Sequence, residues 1–132
     1  MTTVDSSEAA VASPLAGIKI LIVEDEPFIA FDLMMAIQDA GAIAVGPAAT
    51  VAEAIDFLHN DDPAGAIVDV HLPDGTVDAF LDILPAGFSV VVHTGVGLPA
   101  DARARHPDVP VFAKPTAPSV LLARIVEQLK RT

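Results

Sequence analysis

A doubly wound α/β domain built on a five-stranded parallel sheet is the fold class that this sequence predicts, and three observations predict it. Short apolar, β-branched runs alternate five times with segments of helical period. The runs are near-continuously apolar, as strands covered on both faces are. Carboxylate, hydroxyl and amine residues stand where the runs end, on the rim where open α/β sheets place their chemistry.

Residues 1–16 are small, polar and acidic, with Ser13-Pro14 near their end, and are expected to be a disordered leader before a domain over 17–132. They lack the basic start and the apolar core of a signal peptide. Ile18–Val23 reads as the first strand, ending in Glu24, Asp25 and Glu26 before Pro27, a favourable first helical residue. The helix from Pro27 to about Ala40 puts Ile29, Leu33, Ala36, Ile37 and Ala40 on one face, and Gly41 closes it. Phe28, Phe31, Met34 and Met35 fall on the other side of the wheel, a second apolar stripe suited to docking a partner helix. A second strand is expected over 42–46, and Thr50 with Glu53 opens a capping-box helix over 51–59.

The third strand runs through Ala66-Ile67-Val68 into Asp69, followed at once by a turn with Pro73 and Gly75. Residues 76–84 are expected to be helical, stopped by Pro85 and Gly87, and 88–93 to be the fourth strand, ending at Thr94-Gly95. The stretch 96–109 has little apolar period and reads as a poorly formed, mobile helix or loop. Residues 109–113 make the fifth strand before Lys114-Pro115. The last helix, 118–130, buries Leu122, Ile125, Val126 and Leu129. The expected strand order is 2-1-3-4-5, the flavodoxin-like winding.

A chain of 132 residues with 52% hydrophobic content is one domain that can bury its own core. Cysteine is absent, which removes thiol nucleophiles and thiolate metal sites and fits a reducing, cytoplasmic setting. A net charge of −11 opposes binding to nucleic acid or to anionic membranes.

The strand ends carry Glu24 and Asp25, Asp69, Thr94 and Lys114. Singly, acids cap helices, threonines end strands and lysines are solvated; together, on one rim, they form a constellation. Three carboxylates within a few ångströms repel by about 2–4 kcal/mol per pair at an effective dielectric near 20, so the cluster makes sense around a cation. With oxygen ligands alone, that cation is Mg²⁺.

Leu-Ile-Val-Glu-Asp-Glu-Pro, Val-Asp-Val-His-Leu-Pro-Asp-Gly, His-Thr-Gly and Phe-Ala-Lys-Pro, in this order and spacing, resemble the receiver domain of bacterial two-component response regulators, over residues 18 to 130. The resemblance implies that Asp69 is the phosphoacceptor, Glu24 and Asp25 are Mg²⁺-binding acids, and the backbone carbonyl of His71 completes the metal shell. It further implies that Thr94 is the switch hydroxyl, that Lys114 pairs with the phosphoryl group, and that the Lys114-Pro115 bond is cis. Gly95 would leave space for the phosphoryl group to enter, and His71 and Val96 would flank the attacking water in its hydrolysis. Phe28, Phe31 and Met35 would meet a histidine kinase.

Two departures stand out. The aromatic switch position three residues before the lysine is Val111, with Phe112 on the opposite strand face. Val-Val-His-Thr-Gly-Val-Gly partly resembles a single-domain subgroup whose motif reads Phe-Ala-Thr-Gly-X-Tyr, with Val92 and Gly97 in place of the two aromatics. That subgroup works with HWE-type histidine kinases, sometimes in stress responses. The chain ends just after its last helix, so a stand-alone relay or phosphate sink is expected, acting on a downstream regulator or phosphotransfer protein without a DNA-binding output. The alternative is a phosphorylation-independent binding module on the same scaffold. A haloacid-dehalogenase-type phosphatase would want a second Asp where this chain has His71.

Overall fold

The apolar runs all become strands. The computed structural model describes residues 14–131, and in it β1 (Lys19–Val23), β2 (Ile43–Ala48), β3 (Gly65–Val68), β6 (Ser89–Thr94) and β7 (Val111–Ala113) form one parallel sheet in the order β2-β1-β3-β6-β7. Between β3 and β6 lies a small antiparallel hairpin of β4 (His71–Leu72) and β5 (Gly75–Thr76). Without that hairpin the order is 2-1-3-4-5, as the alternation predicts.

Side-chain alternation along each strand divides the core in two. Ile20, Ile22, Ile67 and Val91 point to the side covered by α1 (Pro27–Asp39) and α5 (Pro118–Lys130), which bury Ala30, Leu33, Ile37, Leu121, Leu122 and Ile125. Leu21, Val23, Ala66, Val68, Val90 and Val92 point to the side of α2 (Val51–Asp61), α3 (Asp78–Asp82) and α4 (Ala100–Arg105). The capping box forms: Thr50 Oγ1 accepts the Glu53 N–H at 3.0 Å, while the Glu53 carboxylate reaches the Ala49 N–H at 2.7 Å.

Several boundaries differ from expectation. Of the leader expected over 1–16, residues 1–13 lie outside the described residues, whereas Leu15 is buried against the α1/α5 side. Strand β2 continues past Pro47 to Ala48 through a cis Gly46-Pro47 bond. It can do so because it is an edge strand, where a missing N–H breaks no ladder. A side chain at Gly46 would lie 2.8 Å from the Ala48 nitrogen at φ +95°, so glycine is required there. The helix expected over 76–84 shrinks to Asp78–Asp82, because Thr76 pairs with His71 in the hairpin. Residues 100–105 do form a helix within the stretch expected to be poorly ordered, anchored by buried Leu98 and Ala102.

Candidate functional site

Ladder hydrogen bonds run past the ends of the strands and set the rim. The Asp69 N–H donates to Val23 O at 2.8 Å, the Glu24 N–H to Ala48 O at 2.9 Å and the Lys114 N–H to Thr94 O at 2.9 Å, and Val68 pairs with Val92, so all five strand ends are fixed relative to one another. Glu24 and Asp69 are buried, and Asp25 is exposed beside them. One carboxylate oxygen from each of the three lies within 4.8 Å of the others.

Lys114 reaches into this cluster. Its Nζ stands 3.0 Å from Asp69 Oδ2 and 3.0 Å from Glu24 Oε1. Burial, and then the Asp69 charge, push the Glu24 carboxyl above its ordinary range even though Lys114 pulls the other way. Burial also works against the Lys114 ammonium, but its hydrogen bonds to Asp69 and Glu24 outweigh that and raise its pKa. A single lysine against three carboxylates leaves an excess of negative charge in a partly buried place, where about 3–4 kcal/mol of repulsion per pair is expected. An all-oxygen donor set with that excess charge fits a hard divalent cation such as Mg²⁺.

The third acid of the Glu-Asp-Glu run has a different task. Glu26 is the N-cap of α1, its carboxylate accepting the Phe28 N–H at 2.9 Å. Thr94 is buried at the end of β6, where its Oγ1 accepts the Val96 N–H at 3.3 Å. A Cβ on Gly95 would meet no atom within 4 Å. His71 is exposed in the hairpin, and Val96 is exposed beyond β6. The Lys114-Pro115 bond is cis.

Along α1, Phe28 is 81%, Phe31 55% and Met35 41% exposed, so the second stripe faces outward. Met34 leaves that stripe and packs against the core with Ile29 and Ala36. Val111 is exposed on β7, and Phe112 packs on the α1/α5 side, opposite to where a switch aromatic would be wanted.

Two contacts were not anticipated. Asp74, which reads as a turn residue in Pro-Asp-Gly, caps α2 from the hairpin, accepting the Val51 and Ala52 N–H groups at 2.8 and 3.1 Å. His93 is buried and accepts the Thr116 N–H on Nε2 at 3.2 Å. A polar residue closing an unbroken valine run was the available signal for the second; nothing local marked the first.

No protein-family model matches the chain. The phyllosphere-induced regulator PhyR of Methylorubrum extorquens is 34% identical over 131 aligned positions, covering 96% of this chain and 48% of that protein. The chain thus spans about half the length of this curated relative. Among solved structures, a CheY-like response regulator receiver domain protein from Methanospirillum hungatei matches with a TM-score of 0.78 and 25% identity, covering 88% of this chain and 96% of that one. The response regulator PhyR from Brucella abortus matches with a TM-score of 0.72 and 25% identity, over 98% of this chain and 54% of that one. The anti-anti-sigma factor PhyR from Bartonella quintana matches with a TM-score of 0.69 and 25% identity over the same shares.

Proposed function

We propose, from the premise that this chain is a response regulator receiver domain, that Asp69 accepts a phosphoryl group from a phosphohistidine of a histidine kinase in a Mg²⁺-dependent reaction. The observation that carries the reading is the convergence of Glu24, Asp25, Asp69 and Lys114 on one rim of the sheet.

In the reaction an Asp69 carboxylate oxygen attacks phosphorus, the phosphorus–nitrogen bond to the donor imidazole breaks, and an acyl phosphate remains. Glu24, Asp25 and Asp69, with the backbone carbonyl of His71, would hold the Mg²⁺, whose contribution is to neutralise charge on the phosphoryl oxygens. Lys114 places a positive charge beside the attacking carboxylate. Thr94, freed from the Val96 N–H, supplies a hydroxyl to the transferred group, and the open space at Gly95 admits it. Val96 offers no side-chain hydrogen bond to a hydrolytic water, which leaves His71 to modulate the lifetime of the acyl phosphate.

The kinase docks on the exposed stripe of Phe28, Phe31 and Met35, with an HWE-type enzyme as the candidate class. Downstream, the likeness to PhyR, one member of which is an anti-anti-sigma factor, supports a regulator in the control of an anti-sigma factor as the partner. No described helix is long and apolar enough to cross a membrane, and a cytoplasmic relay or phosphate sink is the cellular role this reading favours.

The test is phosphorylation by a small-molecule phosphodonor followed by intact mass spectrometry. One phosphoryl group is expected with Mg²⁺, none with chelator and none on Asp69→Asn. Equal labelling of Asp69→Asn would mean that another residue accepts the group, and no labelling of the wild type would leave the binding-module reading in its place.

A further inference from the structure

We infer that His93 is a positioning residue for the phosphoacceptor site, holding the turn after β7 so that Lys114 meets Asp69. The inference rests on the reading of Asp69 as the phosphoacceptor.

Two consecutive residues at the end of β6 bracket the turn. Thr94 O accepts the Lys114 N–H at 2.9 Å, and His93 Nε2 accepts the Thr116 N–H at 3.2 Å. Thr116 Oγ1 closes the turn on itself by donating to Ala113 O at 2.5 Å. Lys114 is therefore fixed on both sides of its own backbone, and its Nζ is delivered 3.0 Å from Asp69 Oδ2.

His93 follows the parity of Val91 and points to the α1/α5 side of the sheet, away from Thr94. There it lines a cavity of about 420 Å³ together with Ile29 and Leu33 of α1 and Pro115, Thr116 and Pro118 of the turn and α5. The turn borders this open space, and the His93 hydrogen bond ties it to β6 across it.

The imidazole is a poor core residue on any other account. Because Nε2 accepts, the ring proton sits on Nδ1, which is buried and has no partner among the described residues. Burial first, and then the Lys114 charge, hold the ring below the usual histidine pKa and keep Nε2 available as an acceptor. A leucine would fill the position without an orphaned nitrogen, so the Thr116 contact is what the residue contributes.

The experiment compares rates of Asp69 phosphorylation by a small-molecule phosphodonor at saturating Mg²⁺. His93→Leu is expected to slow the reaction roughly tenfold to a hundredfold, the scale that a misplacement of about 1 Å imposes on a charged partner. His93→Gln, whose amide oxygen can stand near Nε2, should recover most of the rate, whereas His93→Asn is too short and should not. In a Lys114→Ala background, His93→Leu should cost nothing further, because the route through the lysine is already gone.

Wild-type rates in His93→Leu, equal rates in the Gln and Asn variants, or a full additional loss in the Lys114→Ala background would each overturn the inference. Should the leucine variant fail to fold by circular dichroism, the Gln and Asn pair decides alone. Absence of labelling in the wild type would instead overturn the phosphoacceptor reading.

Discussion

The two faces of the sheet are built from the same strands but are closed in different ways. On one face, α1 and α5 are 13 residues each and bury branched aliphatic side chains against Ile20, Ile22 and Ile67. On the other, α2 has 11 residues and buries Val51, Ala54 and Leu58, but α3 has only five residues and α4 six. Those two short helices are tied to each other by charge: Arg105 meets Asp78 and Asp82, besides Asp101 within α4, and His106 Nε2 lies 2.7 Å from Asp82 Oδ1. Exposed ion pairs add little to stability, whereas buried aliphatics add much. Under the proposed function, the first, firm face would present α1 to the kinase, and the second, loosely tied and entered through the loop after Thr94, would be the one to respond.

The largest expected effect separates the faces by stability. Ile125→Ala empties a fully buried position on the α1/α5 side and should cost about 2–5 kcal/mol, a large part of the 5–15 kcal/mol typical of a whole domain. Arg105→Ala removes every ion pair of α4 to α3 except that of His106, yet should shift the thermal midpoint by only a small fraction of the Ile125→Ala shift. Equal shifts would mean that the ion pairs between α3 and α4 hold the second face as firmly as apolar packing holds the first.

The firm face is also the one the sequence discloses. Periodicity alone places Leu33, Ile37, Leu122 and Ile125, because long amphipathic helices repeat their signal over three turns or more. The rim of Glu24, Asp25, Asp69, Thr94 and Lys114 is legible for a related reason: each residue terminates an apolar run, and parallel strands bring all such ends to one edge. What stayed hidden depends on contacts distant in sequence. The hairpin that shortens α3 arises from pairing of Thr76 with His71, and the role of Asp74 arises from α2, more than twenty residues upstream. The helix of 100–105 rests on Leu98 and Ala102, a single i,i+4 pair that is too short a signal to read as a period. Pro47 read as a strand end, because nothing local says that β2 lies on an edge.

Next in size is a kinetic effect confined to the firm face. Phe31→Ser or Met35→Ser, on the exposed side of α1, should slow transfer from the cognate kinase roughly tenfold or more, as loss of an interface anchor does. Phosphorylation by a small-molecule donor should be unaffected, since neither residue touches the acidic cluster. Slowing of both routes would place these residues in folding and remove α1 as the docking element.

Smaller still is a difference in local opening. Amide exchange should be fast over 96–108 and slow through α1 and the central strands, and it should change over 96–108 when Asp69 is phosphorylated. Arg105→Ala should speed exchange there without touching α1. Protection of 96–108 equal to that of the sheet, with and without the phosphoryl group, would make the second face as rigid as the first.

The smallest expected effect is a pH dependence that belongs to the loosely tied face. Asp82 is held below the usual carboxylate range, first by its hydrogen bond to His106 and then by Arg105, and Asp74 is held below it chiefly by the Val51 N–H. A carboxylate with a depressed folded pKa binds its proton less readily than it does in the unfolded chain. Its contribution is therefore fully present above the unfolded value, about 3.9 for Asp, and is lost as the pH falls through the lower folded value. Exchange protection of α4 and of the first turn of α2, corrected for intrinsic rates, should stay level from pH 7 to 5 and fall only below about pH 4. The middle turns of α1 and α5, away from the Glu26 cap of α1, should keep their protection to lower pH. Loss of the α4 protection already between pH 7 and 5 would show that a group other than these two aspartates ties the second face down.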